Sequence, residues 1–226
     1  DARAGVLDRH AAVSDADDQG SYWVINEALG AAAEMDDVSE HLLMPRPDAL
    51  GAKWNRPFTS DMPVIRNIHA ALLMTDRMIP ITPGWDDVVA KCLERYPNRV
   101  LWWRSPSDPG TVAPVVPRSW LEAMDWKPAV ELFPAWWIDT WLTELDRLVF
   151  GEPSLMMPCF YAGERKATME LRDCAFWCRY YAALRPQRIA QAKGIADRLG
   201  VEWQDRPDLL AEFGSHDAVR MKRAAE

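Results

Sequence analysis

The sequence predicts an α/β fold, with a mixed sheet over residues 1–165 and a helical region over 166–226. Three observations carry that reading. Short apolar strands alternate with amphipathic helices through the middle of the chain, the pattern of a sheet flanked by helices. One of those strands, Ile68 to Met74, ends on a single acid, Asp76, and a Pro/Thr/Gly connector then opens a helix at Trp85. From about Ala167 the period is helical, with a break near Pro186. At 226 residues and 49% hydrophobic, the chain can bury a substantial core.

Along the first third, Ala4–Val13 and Asn26–Met35 read as helical, Tyr22–Ile25 as a short strand, and His41–Met44 as a strand ended by Pro45 and Pro47. Any helix between Trp54 and Pro63 is short, because two prolines interrupt it. Trp85–Tyr96 is a helix with Val88, Val89, Cys92 and Leu93 on one face and Asp86 and Asp87 in the first turn, where acids suit the dipole. Val100–Trp103 is a strand, Ser105–Gly110 a turn-rich loop, and Val112–Val116 a strand stopped by Pro117. Ser119 is expected to cap a short helix through Met124. Ile138–Val149 is amphipathic and followed by Gly151 and Pro153 as stop signals, and Leu155–Phe160 is a strand. The tail from Gly200 is polar, with a last helical turn or two.

Charge narrows the function classes. A net charge of −8 argues against a general nucleic-acid binder, although a local basic pocket needs only a few cations. No apolar run approaches the ~18 residues of a membrane span. Four scattered cysteines make no disulfide framework in a chain of this length, so a reduced, cytoplasmic setting is expected. Cys174 and Cys178, spaced i, i+4, have no neighbouring His or second Cys pair, which favours core thiols over a metal site.

The order of motifs from Trp54 to Lys166 resembles the GT-A-fold glycosyltransferases of small bacterial and phage type. A strand ending in acid is followed by Pro80-Ile81-Thr82-Pro83-Gly84-Trp85-Asp86, a turn into a helix. Next come Val112 to Met124 (VAPVVPRSWLEAM) and then the aromatic loop Phe133-Pro134-Ala135-Trp136-Trp137 before Ile138-Asp139-Thr140-Trp141. The resemblance implies a GT-A-like mixed, mostly parallel central sheet flanked by helices. The family's first strand is not recognisable in residues 1 to 30.

The function that the resemblance implies is transfer of a sugar from a nucleotide-sugar donor to an acceptor hydroxyl, with inversion. Asp139 would be the general base that takes the hydroxyl proton. Asp76 would face the donor diphosphate through a divalent cation, Mg²⁺ or Mn²⁺, and Arg77 would pair with the same diphosphate. Asn55 and Arg56 would be donor-side contacts, and Trp136 and Trp137 a platform for a sugar. Each residue also has a plainer reading. Asp139 suits a helix first turn on dipole grounds alone, and paired tryptophans are read as alternately buried, one ring of each pair in the core. The metal motif departs from the family's pattern: Thr75-Asp76-Arg77 holds one acid where two are usual, and Pro158 to Gly163 holds no His. That departure supports an alternative, a catalytically impaired GT-A-like scaffold used for binding or assembly.

Overall fold

The computed structural model describes residues 55, 58, 68–74, 78–106, 108–133, 137–162 and 174–223, together with strands 9–15 and 38–44. Asp76, Arg77, Arg56 and Trp136 lie outside the described residues, as do the strand expected at Tyr22–Ile25 and the helix expected at Asn26–Met35.

Two strands near the N-terminus, β1 (Arg9–Asp15) and β2 (Val38–Met44), pair in parallel from Arg9↔Val38 to Asp15↔Met44. β2 includes the strand read at His41–Met44. The helix expected over Ala4–Val13 is corrected: its second half is β1. Alanine there raised the helical reading, but propensity is a weak prior and strand pairing overrides it.

The main sheet has five strands: β3 (Ala70–Leu72), β4 (Ile79–Pro80), β5 (Leu101–Ser105), β6 (Asp108–Pro117) and β7 (Leu155–Ala162). Their spatial order is β3-β6-β5-β7-β4. β5 and β7 are parallel, whereas β3 with β6, β6 with β5, and β4 with β7 are antiparallel. The fold is therefore mixed α/β, and the expected mostly parallel pairing is not what these strands form. The tight link between Ser105 and its partner Asp108 explains part of this, since so short a connection joins only antiparallel strands.

β3 and β4 sit at opposite borders of the sheet, yet six residues, 73–78, join them. Four strand spacings of ~4.8 Å make ~19 Å across a flat sheet. Seven Cα steps from Leu72 to Ile79 reach at most ~25 Å when fully extended. The sheet curls, bringing its borders towards each other. Register shifts in β5 against β6 and β7 accompany the curl. Ala113 is the extra residue of one bulge, at φ 50°, between Val112 opposite Trp103 and Pro114 opposite Trp102.

Strand alternation divides the core into two layers. Leu101, Trp103, Ala113, Val115, Met157, Cys159 and Tyr161 face helix α1 (Trp85–Arg95), which contributes Val89. Val100, Trp102 and Val116 face the opposite layer with Trp120 and Leu121 of α2 (Arg118–Ala123) and Trp141, Leu142 and Leu145 of α3 (Ile138–Phe150). Trp102 and Trp103 are thus both fully buried, one in each layer, which corrects the expectation of one buried ring for that pair. Ser119 does not cap α2: Pro117 holds the N-cap position, and the Ser119 hydroxyl donates to Pro97 O at 3.1 Å.

Three C-terminal helices complete the second layer: α4 (Cys174–Ala183), α5 (Arg185–Leu199) and α6 (Pro207–Arg223). Pro186 sits in the first turn of α5, so the predicted break falls at Leu184. α6 is much longer than the turn or two expected of a polar tail. Tyr181, Ala192, Ile195 and Phe213 share one core with Trp102 and Trp141. Cys178 is buried on α4. No helix among the described residues is long and apolar enough to cross a membrane.

Candidate functional site

The pairing directions orient the whole sheet. β3, β5 and β7 run the same way, so their carboxyl ends share one edge, the edge at which open α/β sheets receive ligands. The chain leaves β3 through Met74 at this edge. It also enters β4 there, because Ile79 pairs with Ala162, the last residue of β7. Residues 75–77 connect those two points.

α3 runs the other way. Its Asp146 accepts from Val100 N at 3.2 Å, at the start of β5, and the short turn after Phe150 feeds the start of β7. Its C-terminal half thus lies at the amino edge. Asp139, seven residues earlier, lies ~10 Å along the helix towards the carboxyl edge.

A buried ion pair fixes this placement. Arg99 grips Asp146 bidentately, Nε to Oδ1 at 3.1 Å and Nη2 to Oδ2 at 2.9 Å. The same guanidinium reaches Glu152 at 2.5 Å and Pro153 O at 2.9 Å. Burial works against the Arg99 charge, but hydrogen bonds and charge from Asp146 and Glu152 outweigh it and hold the pKa above its ordinary value. Sequence reading missed both residues, since a charge on an amphipathic helix looks like a solvated one.

Asp139 is half-buried in the first turn of α3. Its Oδ1 accepts from Thr140 N at 2.7 Å, and its carbonyl accepts from the Thr143 hydroxyl at 2.8 Å. Trp137 occupies the N-cap in a left-handed conformation, φ 71°, uncommon for a bulky residue. Its ring centre lies 5.1 Å from that of Tyr181, and Arg220 stands 5.1 Å from it. The half-buried Trp137 is therefore engaged by α4 and α6. Phe133, fully buried, starts the same loop and lies within 6.1 Å of the rings of Trp141, Trp177, Tyr180 and Tyr181. Such ring contacts tether the aromatic loop to the C-terminal helices.

Asn55 is placed differently from a ligand contact. It is buried, and its amide donates to Ala129 O at 2.6 Å and Glu131 Oε1 at 2.8 Å while its oxygen accepts from Ala129 N at 2.8 Å. All its donors serve the 129–131 segment, which gives the side chain a structural role.

Among the described residues, no three His, Cys, Asp or Glu side chains converge as a cation site would require. The described strand ends at the carboxyl edge offer Arg104, Ser105 and Tyr161, which do not make the oxygen-rich donor set that Mg²⁺ or Mn²⁺ needs. Asp76, the expected cation ligand, lies outside the described residues. Comparison of the chain with family models, with curated proteins and with solved structures gave no match.

Proposed function

We propose that the chain is a GT-A-like glycosyltransferase that moves a sugar from a nucleotide-sugar donor to an acceptor hydroxyl with inversion. One observation supports the reading: α3, with Asp139 in its first turn, points its N-terminal end to the sheet edge at which the chain leaves β3 and enters β4. A donor at that edge and a base beside it are what a direct displacement needs. The Asp139 carboxylate takes the proton of the acceptor hydroxyl as its oxygen attacks the anomeric carbon. The bond from that carbon to the diphosphate breaks, and the nucleotide departs with the electron pair. Arg77 is assigned to the diphosphate, as a planar fork of donors matched to its oxygens.

The test is calorimetry against a panel of nucleotide-sugars with and without Mn²⁺, followed by a transfer assay with the donor that binds. Asp139→Asn should lower turnover at least ~100-fold, the usual scale for loss of a positioned base. It should leave donor binding and the unfolding midpoint unchanged. Absence of binding by every donor would refute the reading.

A second reading, a binding scaffold of the same fold, is favoured by the single acid at 75–77 and by Asn55 being engaged by the 129–131 segment. Sugar transfer abolished by Asp139→Asn eliminates it.

A further inference from the structure

The C-terminal helices hold a charged cluster that sugar transfer, as proposed above, does not use. Arg188 on α5 is buried, with Nε 2.8 Å from Glu144 Oε2 and Nη1 donating to Tyr181 O at 2.5 Å. Its guanidinium carbon lies 3.9 Å from the Tyr181 ring centre and 5.2 Å from that of Trp141. Asp217 on α6 is buried too; it pairs with Arg185 and, at 3.1 Å, with Arg220, the residue that reaches Trp137.

This cluster does not balance. Among the described residues, Arg185, Arg188 and Arg220 pair with Glu144 and Asp217, three positive charges against two negative. By contrast, Arg99 faces two carboxylates, and Arg147 meets Glu212 in a bidentate pair. The surplus rests on Arg185 and Arg220, which share Asp217 at the partly exposed rim of the cluster. Burial also pushes the Glu144 carboxyl above its ordinary pKa despite Arg188, which weakens the compensation further.

N–H donors predominate among the cluster's buried groups that lack a hydrogen bond within the described residues; the others are the Tyr181 hydroxyl and Glu144 Oε2, the latter facing Arg188 Nε. Arg188 Nη2 stands 3.9 Å from Asp217, too far for a hydrogen bond. Arg185 Nε and Trp137 Nε1 are likewise buried with no hydrogen-bond partner among the described residues. All three are N–H donors. Water could accept from them but would not neutralise the surplus charge.

Solvent reaches the rim of the cluster, where the side chains of Arg185 and Arg220 each remain 29% exposed.

We propose that Arg185, Arg188 and Arg220, with the indole N–H of Trp137, form a binding site for a small oxyanion, a phosphate or carboxylate group. Guanidinium forks match such groups bidentately, and the spare donors and surplus charge call for the same occupant. The group could be a free anion or the anionic substituent of a larger sugar ligand. The site does not depend on Asp139 or on sugar transfer.

Calorimetry on the full chain tests it, with inorganic phosphate and with glucose 6-phosphate, in chloride buffer of constant ionic strength. Both probes should bind the wild-type chain, and the thermal midpoint should rise with phosphate but not with equivalent chloride. Equal affinities identify a free-anion site; tighter binding of the sugar phosphate identifies a substituent site. Arg185→Gln and Arg220→Gln should each weaken binding at least ~10-fold, as expected for loss of a charge-assisted contact. Arg198→Gln, on a half-exposed side chain at the far end of α5, should not weaken it. Circular dichroism and the urea midpoint verify each fold, and Arg220→Gln alone decides if Arg185→Gln is unstable. Two results would overturn the proposal: no binding of either probe up to ~10 mM, the weak end of specific affinity, or affinities that a folded Arg220→Gln leaves unchanged.

Discussion

Asp146→Asn tests how α3, the helix with Asp139 in its first turn, is held on the sheet. Asparagine keeps the shape, and its oxygen can still accept from Arg99 Nε and Val100 N, the two bonds now made to Oδ1. Arg99 Nη2 also keeps Pro153 O. What disappears is the buried counterion. Arg99 is then left with Glu152, a side chain 66% exposed, and a pair so open to water is worth less than about 1 kcal/mol. Stranding a buried charge costs ~3–5 kcal/mol, and the Glu152 contact offsets part of that, so a loss of ~3 kcal/mol is expected. Urea unfolding followed by tryptophan fluorescence measures it: with a slope near ~3 kcal/mol/M for a chain of this size, the midpoint should fall by ~1 M with the slope unchanged. Arg99→Met strands the carboxylate instead and should cost at least as much. The double variant should lose less than the sum by ~2 kcal/mol or more. A loss below ~1 kcal/mol for Asp146→Asn, or strict additivity in the cycle, would show that this pair does not anchor the helix.

Two glycines with the same left-handed backbone should respond differently to alanine. Gly84 (φ 64°) has open space around a Cβ and should lose only the ~1 kcal/mol of the backbone term, whereas at Gly151 (φ 71°) the Cβ would meet the Arg206 guanidinium at 2.0 Å. Gly151→Ala should therefore cost at least ~2 kcal/mol, because Arg206 must also release Leu148 O; equal melting temperatures for the two variants would contradict this. Burial pushes the Cys159 thiol up to about 11, with Cys92 nearby adding to the shift. Its folded pKa exceeds the unfolded one, so its stabilising effect is complete below pH ~9 and is lost as pH rises towards 11. Cys159→Ala should flatten stability against pH in that window, and in the native protein iodoacetamide at pH 8 should label Cys159 only on unfolding; rapid native labelling would refute the burial argument. Trp120, fully buried with its indole N–H donating to Asn98 O at 2.6 Å, should cost ~3–5 kcal/mol as Trp120→Ala, read as a urea-midpoint shift.

Much of the alternation was legible because periodicity and punctuation agreed. The runs around Trp102, Val115 and Met157 are apolar and bounded by turn residues, and they form the sheet core. Pairing direction was harder, since it depends on neighbours that a linear pattern does not name. One local signal was available: the Ser105–Gly110 segment is short enough to demand a hairpin, although its composition reads as a loop. β4 was invisible, since two residues in a Pro/Thr connector become a strand only by pairing with Tyr161 and Ala162. Asp139 was singled out through motif order, whereas the buried Asp146, Glu144 and Arg188 carried no signal in the sequence. Three-dimensional pairing buries these charges, and their spacing along the helices is that of an ordinary wet face.

The six-residue link between the two borders of the main sheet has a mechanical meaning. It works as a tether, whose length sets how far the two borders can move apart. Its reach of ~25 Å already exceeds the ~19 Å of a flat sheet, so adding residues between Met74 and Met78 should leave the curl unchanged, whereas removing two would leave at most ~18 Å of chain and forbid the flat form. The largest separation of the two borders is thus tied to one dimension, and shortening this link would alter the shape of the edge.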